Sequence, residues 1–166
     1  MLQGLLVENT QIVSAIIPIA LDAGANAGDW VSMENYTRCC CVFFAAAGTA
    51  GDDPTITMSQ ATAAAGTGTK ALNFTRVDTK QGTLTAVGTF TEVTQAAGNT
   101  YTDATSAEIQ KIWLFDIDSA DLDVANGFNF IQMSCDDPGT NAQIGCGLYV
   151  LYNCSYPQAT PPQAIA

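Results

Sequence analysis

The sequence predicts an all-β fold: a single-domain antiparallel β-sandwich, with the jelly roll as one form of it. Three observations predict it. Short apolar runs recur along the 166 residues, separated by turn clusters, and no long stretch has a 3.6-residue period. Several runs alternate apolar and polar residues, as a strand with one buried face does. The composition, 48% hydrophobic and 13% charged, suits a chain that buries a core rather than a disordered one. A chain of this length buries about 70% of its unfolded surface on folding, so it needs no metal or staple, and residues 1–166 fit one domain.

The elements follow in chain order. Met1 to Glu8 carries Leu2, Leu5 and Leu6 without an obvious strand partner, and is expected to be an N-terminal arm (1–8). The ten-residue apolar run Ile12 to Leu21 contains Pro18, which points to one strand, or two, near a sheet edge. It is too short for a membrane helix of ~20 residues, and no basic region precedes it as in a secretory signal. Arg38 to Ala46 (RCCCVFFAA) is apolar on both faces from Cys39 onward and predicts a central strand. Gly48 to Pro54 is a loop by composition. Thr55 to Gln60 places Ile56 and Met58 on one face, and Thr55, Thr57 and Ser59 on the other. After the loop Gly66 to Thr69, Leu72 and Phe74 share a face opposite Asn73 and Thr75, and Thr83 to Ala86 continues the alternation.

Lys111 to Ile117 sets Trp113, Phe115 and Ile117 on one face. Asp118 to Leu122 predicts one capped helical turn, with Asp118 or Ser119 as the cap. Asn126-Gly127 is a hairpin signal that feeds the strand Phe128 to Cys135. Asp136-Asp137-Pro138-Gly139 has the order a type II turn wants. Ile144 to Tyr152 sets Ile144, Cys146, Leu148, Val150 and Tyr152 on one face, with Gly145 and Gly147 opposite, where glycine leaves room for a bulge or a close neighbour. The Pro-rich segment Tyr156 to Ala166 is expected to be an extended C-terminal arm (156–166).

Charge and residue types narrow the function. Five Lys and Arg stand against sixteen Asp and Glu, for a net charge of −11. Arg38, Lys70, Arg76, Lys80 and Lys111 are scattered, which argues against nucleic acid as a partner, since phosphate neutralisation needs clustered cations. The absence of His removes the commonest general base and metal ligand. No GxSxG is present, and Gly66-Thr67-Gly68-Thr69-Lys70 lacks Walker spacing, so it reads as a strand-connecting loop. Carboxylate pairs of the kind a glycosidase uses arise by accident among sixteen acids. No enzymatic activity and no cofactor is expected.

Six cysteines stand at 39, 40, 41, 135, 146 and 154. Three are consecutive, only Cys39 and Cys41 share a strand face, and no CxxC occurs. They read as thiols in a reducing cytosol, with a bridge among Cys135, Cys146 and Cys154 as the alternative. Asp116, Asp118, Asp121 and Asp123 form the densest acidic cluster and are the calcium candidates, although the sixth and twelfth positions of an EF-hand loop would fall on Asp121 and Gly127. A solvated loop with a helix cap is the competing reading. Trp30, Tyr149, Tyr152 and Tyr156 are candidates for stacking on sugars, against a plain core role.

The stretches Gly28 to Arg38 (GDWVSMENYTR) and Phe43 to Leu72, with Ile112 to Gly139 and Asn141 to Gln158, resemble small proteins encoded beside the major capsid gene of tailed bacteriophages. The Cys39–Cys41 triplet is not part of that pattern. The resemblance implies a head decoration (cement) protein on the virion exterior, made in the host bacterial cytoplasm. Its partners would be the major capsid protein and itself, as a homotrimer, with no nucleic acid and no membrane. Binding would be multivalent, so modest contacts add through effective concentration. Leu2, Leu5, Leu6, Pro161, Pro162 and Ile165 in the two arms are the expected contact residues. The alternative is a tail- or fibre-associated sandwich that binds a host glycan.

Overall fold

A computed structural model describes residues 6–85, 87–104 and 109–155. One helical turn, α1 (Leu6–Asn9), leads into β1 (Thr10–Ala20). Then come β2 (Asn26–Ala27), β3 (Val31–Ser32), β4 (Tyr36–Ala45), β5 (Thr55–Ala61), β6 (Lys70–Ala71) and β7 (Phe74–Gly82). The chain continues through β8 (Thr91–Gly98), β9 (Thr100–Thr102), β10 (Gln110–Asp118), β11 (Phe130–Cys135) and β12 (Ile144–Cys154).

Two antiparallel sheets of six strands pack face to face. Sheet A runs β1-β12-β4-β10-β7-β8. Sheet B holds β2, β11, β5 and β6 in order, with β3 also on β11 and β9 also on β5. The pairing is nested. β1 lies against β12, β2 and β3 against β11, β4 against β10, and β5 against β6 and β9. β1, the short pair β2 and β3, β4 and β5 alternate between sheets, and so do β10, β11 and β12. One long antiparallel hairpin rolled into two layers has this wiring, which is the jelly roll. The β7–β8 hairpin widens sheet A beyond it.

The core lies between the sheets. Cys39, Cys41 and Phe43 from β4, Trp113, Phe115 and Ile117 from β10, and Tyr149 and Leu151 from β12 point inward from sheet A. Ile56 and Met58 from β5 and Ile131, Met133 and Cys135 from β11 meet them from sheet B. Four aromatic contacts tie the middle, among them Phe43–Trp113 at 5.4 Å and Tyr101–Trp113 at 4.9 Å between centroids. The phenol of Tyr149 crosses the layer: it accepts from the Met133 amide at 2.7 Å and donates to the Asp29 carbonyl at 2.9 Å.

The glycine side of β12 faces this core. A Cβ on Gly147 would come within 2.4 Å of Met133 Cε, and one on Gly145 within 2.7 Å of Leu21 Cδ1. These glycines therefore admit neighbours from β11 and from the turn after β1, and the apolar alternate residues of β12 turn outward. Lys111 shares the inward face of β10 and is fully buried, a placement that its position at the start of an apolar run does not announce.

Pro18 lies in β1, which is an edge strand, and two register shifts after Ser14 accommodate irregular pairing there. Asp118 caps the single turn Ser119–Asp121 through a capping box with Asp121. Two local readings are corrected. Thr83 to Ala86 does not extend β7: Gly82 takes φ of +119° and ends it, Leu84 and Thr85 form a turn, and Ala86 lies outside the described residues. Asn126-Gly127 is not a two-residue hairpin loop. It closes a 3-10 turn, Val124–Asn126, with Gly127 left-handed at φ of +82°, and β11 starts three residues later.

Candidate functional site

The outer face of sheet A is the surface that the fold alone does not account for. In-register rows across it run Ile12–Val150–Cys40–Asp116, Ser14–Leu148–Val42–Leu114 and Cys146–Phe44–Ile112–Lys80. Residues in one row share a face, so the apolar ones form a continuous patch over β1, β12, β4 and the start of β10. Ile12 is 50% exposed, Ile17 65%, Phe44 46%, Ile144 62% and Leu148 40%. Val42, Ile112, Leu114 and Val150 fill the gaps half-buried. β1 and β12 contain no charged residue. Isolated exposed apolar side chains are ordinary, but a contiguous patch marks a surface that another molecule covers.

A strip of ion pairs borders the patch on the β10, β7 and β8 side. Arg38 donates to Asp116 at 2.7 Å and to Asp118 at 3.2 Å, and the Tyr152 hydroxyl donates to Asp116 at 2.8 Å. Arg76 pairs with Asp78 at 2.7 Å and Glu92 at 2.8 Å. The hydrogen bond to Asp116 is the main reason the Arg38 guanidinium is held still more firmly in its charged form. A shallow cavity of about 250 Å³ opens between Arg38, Arg76, Asp78 and Asp116. Both guanidiniums there already face carboxylates, so the cavity offers no uncompensated positive charge to an anion.

Two thiols belong to this face. Burial, with Asp116 beside it, pushes the Cys40 thiol up to about 12, and burial also raises Cys146. Both are therefore protonated at neutral pH and are poor nucleophiles. All six cysteines are free thiols, and Cys39 and Cys41 share the core face with their Sγ atoms 3.9 Å apart.

The four calcium candidates are engaged with the protein itself. Asp116 and Asp118 pair with Arg38, Asp121 completes the capping box, and Asp123 pairs with Lys70 and accepts from Asn126. Lys70 holds the Asp123 carboxyl below its ordinary range. Among the described residues no three His, Cys, Asp or Glu side chains form a group able to hold a metal. The four aspartates thus act as pair partners and caps along one edge.

The sugar-stacking candidates do not share a surface. Tyr149 is in the core, Tyr152 binds Asp116 on sheet A, and Trp30 packs on Gly66 at a loop. Tyr156 lies outside the described residues. Of the arm residues, Leu6 opens α1 and is 61% exposed, while Leu2, Leu5, Pro161, Pro162 and Ile165 lie outside the described residues. Sequence reasoning missed the sheet A face as a site. The signal was present in the doubly apolar run from Cys39, which leaves a second apolar face once the first one is buried.

No protein-family model matches the chain, and no curated protein matches it.

Proposed function

We propose that the protein is a structural component that acts by docking, without catalysis, as a decoration protein on the outside of a tailed-phage capsid. The uncovered apolar face of sheet A carries this reading, because a jelly roll needs only one apolar face per sheet to fold and this one has two. The resemblance along the sequence supplies the capsid as the place of assembly. Jelly rolls serve both capsid and lectin roles, so the wiring supports either class, and the apolar patch favours a protein partner over a hydrophilic glycan. The acidic remainder of the surface suits a protein outside a DNA-filled shell, where it does not compete for nucleic acid.

Cryo-EM of the intact particle tests the proposal. Density for the sandwich on the capsid exterior is the expected result. Density confined to the tail would sink it and favour the glycan reading.

A further inference from the structure

We propose that the outer face of sheet A closes against the same face of a second copy of this chain, as a two-fold dimer. This rests on the reading of that face as a docking surface and names a second copy, rather than the capsid, as what covers it; the dimer would meet the capsid through its remaining surface.

Charge argues for a second copy. The strands of sheet A place three cations (Arg38, Arg76 and Lys80) and four carboxylates (Asp78, Glu92, Asp116 and Asp118) on the outer face, a net of −1. The whole chain carries −11, so the rest of the molecule carries −10. The outward residues of sheet B, such as Thr55, Thr57, Thr100 and Ser134, are uncharged as well, so charge excludes only the acidic loops and edges, and it is apolarity that separates the two sheet faces. Two copies meeting on sheet A bring together a face that is both nearly neutral and apolar, and most of their acids stay outward.

Area argues the same way. Six strands about 4.8 Å apart and about nine residues long cover roughly 24 by 30 Å, or about 700 Å². A stable interface takes about 800 Å² from each partner. The patch also shares features of an interface, an apolar area flanked on one side by paired charges that are already satisfied within their own chain. A single patch of this kind is self-complementary only in an isologous, two-fold contact. A ring of three needs two different patches.

The test compares wild type with Phe44→Asp/Leu148→Asp by light scattering coupled to size exclusion at micromolar loading. Both side chains are already part-exposed, so the variant is expected to keep the wild-type melting temperature within a few degrees. Wild type is expected at twice the 17.3 kDa chain mass and the variant at the chain mass. Cys146, on the same face, reports independently: its alkylation by N-ethylmaleimide is expected to be severalfold slower in wild type than in Phe44→Asp/Leu148→Asp. A monomeric or trimeric wild type overturns the proposal, as does a variant that stays dimeric while folded. Binding to particles stripped of the protein separates the two readings. A monomeric wild type whose binding the variant abolishes overturns the dimer and leaves the docking reading standing. A dimer that binds no particle upholds the dimer and overturns the capsid assignment.

Discussion

The two sheets turn opposite kinds of surface to the outside. On sheet B the outward residues of β5, β9 and β11 are Thr55, Thr57, Ser59, Thr100, Thr102, Gln132 and Ser134, joined in register, with Ala27 and Ala71 beside them on the short strands β2 and β6. Those on β5, β9 and β11 are uncharged and polar, and Thr55 and Thr102 hydrogen-bond to each other at 2.5 Å. On sheet A the corresponding positions hold Ile12, Leu148, Val42 and Phe44. Both sheets bury an apolar inner face against the same core, so folding does not require the difference. Sheet B is finished once it meets water. Sheet A leaves apolar area in water, which under the proposal above a partner covers, and that would separate residues that serve folding from residues that serve assembly.

Two neighbours on one strand test this most strongly. Phe43 is fully buried against Trp113, whereas Phe44 is turned out. Phe43→Ala is expected to cost about 3–5 kcal/mol in urea denaturation, the usual range for a core aromatic. Phe44→Ala is expected to cost under about 1 kcal/mol in a dilute, monomeric sample. Equal costs would mean that the outer face is part of the fold rather than of an interface.

Alkaline pH probes the inner side next. Burial pushes the Cys135 thiol up to about 12. A raised pKa contributes stability that is complete below the unfolded value of about 8.5 and is lost as pH rises towards the folded one. By pH 10 the loss is about 2 kcal/mol from this thiol, and Cys135→Ala should flatten that part of the pH dependence. Denaturation midpoints at pH 7 and pH 10 measure it.

Making sheet B resemble sheet A is a milder change. Thr57→Val with Ser134→Val should move stability by no more than about 0.5 kcal/mol, because neither residue is in the core. It should raise concentration-dependent light scattering, since the new patch has no partner. Unchanged scattering would show that a small apolar patch alone does not drive association. The smallest effect belongs to the Lys70–Asp123 pair, which lies outside both faces. Its lowered carboxyl pKa contributes stability above the unfolded value of about 3.9, lost as pH falls through the folded one. Lys70→Met should therefore differ slightly from wild type at pH 6 and match it in strong acid.

The strands were legible because their period of two is written locally. Ile56 and Met58, and Trp113, Phe115 and Ile117, each share a buried face as the alternation requires, whereas Leu72, though buried, lies in the link between β6 and β7 and not on one strand with Phe74. The cap at Asp118 was legible for the same reason, since a cap is made by residues three apart. Which side of a strand is buried is not a local property. In the first half of β12 the large side chains Ile144 and Leu148 face out, while Gly145 and Gly147 face in because Leu21 and Met133 occupy the space beside them. Leu21 is far from β12 in sequence, and Met133 belongs to the strand before it in the opposite sheet. The same limit hid the sheet A face, since composition shows two apolar faces on β4 but not which one a second sheet covers. It also hid the burial of Lys111, whose inward turn follows from the register of β10 on β4 rather than from its type.

The nested pairing also sets an order in time. Thr10 pairs with Tyr152 and Ala20 with Ile144, so β1 has no strand partner in sheet A until β12 has been made. At ~5–20 residues per second a ribosome needs roughly 7–28 s to make the intervening stretch. Throughout that interval Ile12, Ile16, Ile17 and Ile19 wait on an unpaired strand. Pro18 and the irregular register around it make that strand a poor template for pairing with another nascent chain. Closure of the roll therefore waits for β12, and sheet A becomes a complete surface only once that strand has been made.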